Sequence, residues 1–124
     1  MAIRWYSVVV DCADVAAQGS WWAETLGWPI VYQSADEVVV APGHDPESAV
    51  GPGLVFVPVP EGKTVKNRLH LDLAPAQGDD QAAEVKRLVD RGATLADIGQ
   101  GPEVSWVVLR DPEGNEFCVL SPRP

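Results

Sequence analysis

The side chains able to do chemistry sit in two short stretches near the middle and the end of the chain. Arg68-Leu-His-Leu-Asp-Leu73 alternates polar with apolar, the period of a half-buried strand. Alternation puts Arg68, His70 and Asp72 on one face and Leu69, Leu71 and Leu73 on the other, where the leucines are expected to pack under helices. By the same rule Glu116, Cys118 and Leu120 share a face, as do Ser7, Val9 and Asp11. An imidazole and a carboxylate are the material of a general base with its orienting partner. The same two groups also serve to bind a ligand's polar atoms, or simply hydrogen-bond to each other inside the protein. Arg68 carries a planar fork that clamps an anionic substrate or pairs with Asp72 or Asp11, two residues read as structural at strand ends. Trp106, early in a strand, is a candidate pocket wall for a planar or apolar ligand.

Other reactive residue types read more blandly. Lys63, Lys66 and Arg68 form a small basic stretch that either attracts an anion or is a solvated turn. His44 is the only other histidine and lies in a Gly/Pro-rich loop, so it is read as a surface residue. Cys12 and Cys118 form no CxxC pair, which leaves them as buried free thiols and supports neither a disulfide framework nor a structural zinc site. Trp22 belongs to a helix's apolar face, and Trp21 beside it points elsewhere, toward a candidate partner surface.

The elements that must position these residues come in a repeated order. Strands are expected at Arg4 to Asp11, Ile30 to Gln33, Glu37 to Ala41 and Gly53 to Val59. Asp14 reads as the N-cap of a helix whose face is Val15, Gly19, Trp22, Ala23 and Leu26, with Gly27 closing it. Pro42 to Pro52 is a loop and Pro60 to Asn67 a polar connector. The second half runs from the strand Arg68 to Leu73 into a helix capped by Asp79 or Asp80. That helix has the apolar face Ala82, Val85, Leu88 and Val89 and ends at Gly92. Strands at Thr94 to Asp97, Val104 to Arg110 and Glu116 to Ser121 follow, with the turn Asp111-Pro-Glu-Gly-Asn115 between the last two. The order is βαβββ twice, an α+β class of two tandem modules in one domain, module one 1–59, connector 60–67 and module two 68–124. Gly27-Trp-Pro-Ile aligns with Gly92-Ala-Thr-Leu, and an offset of 63 sets Gly51-Pro-Gly against Gly114-Asn-Glu and Ser7 opposite His70.

At 124 residues the chain suits one core, and 46% hydrophobic with 22% charged residues is ordinary globular composition. A net charge of −9 repels phosphate backbones and anionic bilayers, so neither nucleic acid nor membrane is an expected partner. The N-terminal residues lack the apolar stretch of a signal peptide, and a cytoplasmic location is expected.

Three segments resemble the glyoxalase-like branch of the vicinal oxygen chelate superfamily, which includes glyoxalases, bleomycin-resistance proteins and extradiol dioxygenases. They are Val8 to Asp14 leading into the Trp-rich helix, Val57 to Leu73 with Lys66-Asn-Arg-Leu-His-Leu-Asp72 as its most specific part, and Leu109 to Leu120. The resemblance implies two βαβββ modules forming a cupped, partly open mixed sheet around a central pocket. It also implies that the polar faces converge there, with His70 and Glu116 as catalytic groups and Ser7, Arg68, Trp106 and Cys118 as substrate-binding residues. Metal-dependent members hold a divalent ion (iron, nickel, zinc or manganese), and His70 and Glu116 fall on two of the ligand positions. Ser7 stands where the family's first histidine usually stands, Val57 where glutamine is frequent, and Gly53 to Val59 offers no side-chain ligand. Open catalytic sites normally keep three protein ligands, so the metal set is incomplete. The implied function is to act on, or bind, a small oxygenated or aromatic molecule without a complete metal site, with lyase, isomerase or dioxygenase-like chemistry open. The alternative is a non-catalytic protein of the bleomycin-resistance type that sequesters a drug or metabolite. A homodimer is the implied assembly.

Overall fold

The computed structural model describes residues 2–43 and 52–123. His44 and most of the Pro42–Pro52 loop lie outside them. The chain forms two compact units, Met1–Gly62 and Lys63–Pro124. Each is a four-stranded mixed sheet with one helix, an α+β arrangement of open sheets. No helix among the described residues is long and apolar enough to cross a membrane.

Unit one contains β1 (Ser7–Cys12), α1 (Val15–Leu26), β2 (Ile30–Gln33), β3 (Val38–Val40) and β4 (Gly53–Pro58) in the sheet order β1-β4-β3-β2. The Asp14 carboxylate accepts the Ala17 N–H at 3.0 Å, and Gly27 ends α1 with φ 67°, a left-handed turn that a side chain would strain. The apolar spacing buries Val15, Gly19, Trp22 and Ala23 as expected, above Val38, Val40 and Phe56, all three fully buried. Trp21, expected on a partner surface, is buried too and meets Trp22 edge-on at 5.0 Å, so α1 buries more than one stripe.

Gly19 is where helix and sheet come closest. A Cβ there would stand 2.5 Å from Cγ1 of Val38, a fully buried, stiff β-branched side chain with nowhere to move. Gly19→Ala is therefore expected to destabilise, although alanine is the better helix former by about 1 kcal/mol. Overpacking of this kind costs roughly 1–3 kcal/mol, and a melting temperature lowered by several degrees in thermal denaturation is the expected result. A raised melting temperature would show that α1 does not sit on β3 this closely.

Unit two contains β5 (Asp72–Leu73), α2 (Gln81–Asp90), β6 (Thr94–Leu95), β7 (Val107–Arg110) and β8 (Glu116–Val119), in the order β5-β8-β7-β6. The units share a register as well as an order. Val9 pairs with Val55 in unit one, and Asp72 pairs with Cys118 in unit two, the same parallel pair displaced by 63. Ile30 against Val40 corresponds to Leu95 against Leu109, which extends the Gly27/Gly92 alignment. Asp80 caps α2 by accepting the Ala83 N–H at 3.2 Å, and the Gln81 amide donates to the carbonyls of Ser105 and Val119, tying the helix start to the end of β8.

Two expectations about unit two need correction. The strand expected from Arg68 is only Asp72–Leu73, and Leu69 is 90% exposed rather than packed under a helix. The register explains this: Asp72 lies level with Cys118, so Arg68 and Leu69 lie level with Gly114 and Asn115, which belong to a turn and offer no ladder. In α2 only Leu88 is buried, while Ala82 and Val89 are exposed and Val85 is half-buried.

Candidate functional site

Glu116 opens β8, immediately after the turn Asp111–Asn115. Its side chain is buried, and its register neighbour on β7 is Arg110. A buried carboxylate needs donors, and this one has several. Its Oε2 accepts from the Lys63 ammonium at 3.0 Å and lies 3.6 Å from Arg110 Nε, while Oε1 accepts the backbone N–H of Asn67 at 2.9 Å. Burial pushes the Glu116 carboxyl up. The Asn67 N–H, the Lys63 ammonium and its own backbone N–H outweigh burial and hold its pKa at about 2.

The turn that delivers Glu116 is built by Asp111, also buried. Its Oδ1 accepts the N–H groups of Glu113 and Asn115 at 3.0 and 2.9 Å, and Oδ2 accepts the Asn115 amide at 3.2 Å. Asn115 in turn accepts from the Asn67 amide at 3.2 Å, so the connector is stitched to the turn beside Glu116.

Above Glu116 is an open cleft of about 450 Å³ within unit two, lined by residues that include Lys63, Lys66, Asp97, Arg110 and Glu116. Lys63 spends two of its three N–H donors on Glu116 and the Val65 carbonyl. Arg110 has no hydrogen-bond acceptor for its guanidinium among the described residues, its contact being the 3.6 Å ion pair to Glu116.

The second cluster lies at the start of β5. His70 Nε2 is 3.2 Å from Asp72 Oδ1, and ligand atoms of His70, Asp72 and Cys118 all lie within 4.8 Å of one another. The parallel pairing of Asp72 with Cys118 puts these two side chains on one face, and His70, just ahead of β5, turns its imidazole to Asp72. His70 and Asp72 are exposed, whereas Cys118 is buried among Ala96, Val108 and Leu120. Burial pushes the Cys118 thiol up, and the adjacent Asp72 charge adds to it while Lys66 opposes it.

The chain matches the family model for the glyoxalase-like domain over residues 7–120. It belongs to the glyoxalase-like family. Solved structures of the vicinal oxygen chelate superfamily share its fold. One is a bleomycin-binding protein from Streptomyces verticillus complexed with copper(II)-bleomycin (20% identity, 99% of this chain and 100% of that one covered, TM-score 0.60). Another is a mutant fosfomycin resistance protein from Listeria monocytogenes with Mn(II) and a dihydroxypropylphosphonic acid (9%, 99% and 93%, 0.71). A third is glyoxalase I from Leishmania major (13%, 97% and 87%, 0.62). No curated protein sequence matches the chain.

Against this glyoxalase-like frame the expected site residues sort differently. His70 and Glu116, expected to pair, have separate partners: His70 meets Asp72, and Glu116 meets Lys63, Arg110 and Asn67. Both Glu116 oxygens are committed to donors of the chain itself, so a divalent ion shared with His70 would have to displace an ammonium. The residues present do not fit the family's ion at that position. Ser7 begins β1 in unit one, half-buried and paired with Gly53. Arg68 is exposed on the approach to β5, with no ion pair among the described residues, and Trp106 is exposed before β7 and outside the cleft lining. Cys118 is in place on β8, and both cysteines are free and buried as expected. Lys63, Arg110 and Asp72 were not assigned site roles from sequence. Two of them had a signal: Asp72 stands two residues from His70, and Lys63 belongs to the basic stretch read either as attracting an anion or as a solvated turn.

Proposed function

We propose that this glyoxalase-like chain binds a compact, oxygenated, anionic small molecule in the cleft of its second unit. The observation that carries the reading is the imbalance of charge there. Lys63 already neutralises Glu116, which leaves Lys66 and Arg110 against Asp97 alone, in a chain whose net charge is −9. A guanidinium without an acceptor presents its fork to a carboxylate or phosphonate. The lining also brings a threonine hydroxyl and the apolar side chains of Val65 and Ile98, enough for a small ligand with an apolar edge. Binding is favoured over acid–base turnover in this cleft, because a carboxyl held near pKa 2 is a poor proton acceptor at neutral pH. The relatives that hold a phosphonic acid and a bleomycin supply the first probes.

The test is calorimetry and thermal shift with carboxylates, phosphonates and their neutral isosteres, and with bleomycin in parallel. A compact anion is expected to raise the melting temperature, since a ligand at 100 times its Kd adds about 2.7 kcal/mol. Arg110→Ala is expected to weaken that binding by at least about tenfold, or 1.4 kcal/mol. Equal stabilisation by the neutral isosteres, or none by any anion at millimolar concentration, overturns the reading.

A further inference from the structure

We propose that His70, Asp72 and Cys118 form a binding site for a thiophilic divalent cation, zinc by its ligand chemistry, separate from the anion cleft and from the carboxylate of Glu116. Three different donors meet there: an imidazole nitrogen, a carboxylate oxygen and a sulfur, all within 4.8 Å of one another. Zinc takes this mixed set in tetrahedral geometry, with bonds of roughly 2.0–2.3 Å. Those bond lengths place ligand atoms roughly 3.3–3.8 Å apart around the ion. The nitrogen and oxygen already stand 3.2 Å apart, and the sulfur, within 4.8 Å of both, would close by up to about 1 Å to share the ion with them.

The backbone explains why the three donors meet. The parallel register sets Asp72 beside Cys118, and His70, two residues upstream and ahead of β5, brings its Nε2 to the Asp72 carboxylate. The sulfur is anchored in the sheet, and the other two donors are exposed. A fourth position therefore opens to water, as in zinc sites that keep one coordination place free.

A nucleophilic reading of the same residues fails on geometry. An activated cysteine needs the imidazole next to sulfur with the carboxylate behind it. Here the Nε2 of His70 is turned to Asp72, and Asp72 is the register neighbour of the cysteine. Such an arrangement stabilises a cation between the groups and does not draw a proton off sulfur. When the ion binds, the thiol proton leaves to solvent as the metal–sulfur bond forms.

Cobalt(II) alone is the probe, titrated into chelator-treated full-length protein and read by absorption spectroscopy. One equivalent is expected to bind with a thiolate-to-cobalt charge-transfer band. Cys118→Ser and His70→Ala are expected to lose the band, the second serving because an exposed residue is replaced without touching the sheet. Cys12→Ser and Glu116→Gln are expected to keep it. A band that survives Cys118→Ser, or that disappears with Glu116→Gln, moves the ion elsewhere and sinks the proposal, as does the absence of stoichiometric cobalt. The anion experiment reads a different cleft through Arg110, so failure of either leaves the other standing.

Discussion

Lys63→Met is expected to cost about 2–4 kcal/mol at neutral pH, because it leaves a buried carboxylate without its main counter-charge. Breaking a buried pair from one side costs about 3–5 kcal/mol in general. The lower range applies here, since Arg110 Nε at 3.6 Å and the Asn67 N–H at 2.9 Å still face Glu116. In urea or thermal denaturation the loss corresponds to a melting temperature lower by on the order of 10 °C. The variant should also lose anion binding, because Glu116 then turns its uncompensated charge toward the cleft. The double variant Lys63→Met, Glu116→Leu checks the cause: an apolar pair of similar volume is often neutral or stabilising, so most of the lost stability should return, and with the uncompensated charge gone Lys66 and Arg110 should bind the anion again. A single variant as stable as the parent would mean that the carboxylate is not enclosed as described.

The same carboxylate sets an acid limit. Its folded pKa of about 2 lies below the ordinary 4.5, so it contributes stability that is fully present above about pH 4.5 and is lost as pH falls toward 2. At the edge of an open cleft, screening by water reduces the contribution to about 1–2 kcal/mol. Stability measured from pH 6 to 2 should therefore fall less steeply in Glu116→Gln than in the parent. Equal slopes would remove Glu116 from the acid response.

The sequence carried the scaffold further than it carried the site, for a physical reason. Alternation and turn chemistry are local, and the 63-residue repeat converts local patterns into register: Val9 against Val55 implies Asp72 against Cys118, which the sheets show. The nearness of His70 to Asp72 was legible for the same reason. The partners of Glu116 were not, because Lys63 lies 53 residues away in a polar connector whose composition describes a solvated turn. An ammonium on a flexible stem leaves no periodic trace. Alternation also overstated β5, since a strand extends only as far as its neighbour offers a ladder, and β8 begins at Glu116. Trp21 shows the opposite error, an aromatic read toward a partner surface that is buried against Trp22.

Asp111→Ala tests whether the turn holds the cleft together. Asp111 is not itself part of the cleft lining, but its backbone carbonyl accepts the Gly114 N–H at 2.9 Å, its carboxylate oxygens accept from Glu113, the Asn115 backbone and the Asn115 amide, and Asn115 holds Asn67. Removing a buried, charged acceptor leaves its donors unsatisfied, and about 2–4 kcal/mol of stability should go with it. Gly114 sits in the same turn at φ 92°, a backbone conformation that glycine reaches without the strain a side chain would bring. Released, the turn no longer presents Glu116 to the Asn67 N–H or to Lys63. Anion affinity should then fall along with stability, although no cationic side chain has been changed. Asp111→Asn keeps one carbonyl acceptor for the two backbone donors and should cost only about 1 kcal/mol, with most of the affinity retained. The decisive measurement is the Asn67 amide resonance by NMR together with ligand titration. If Asp111→Ala lowers stability but leaves that resonance and the affinity unchanged, the turn supports the fold alone, and Glu116 is positioned by the sheet.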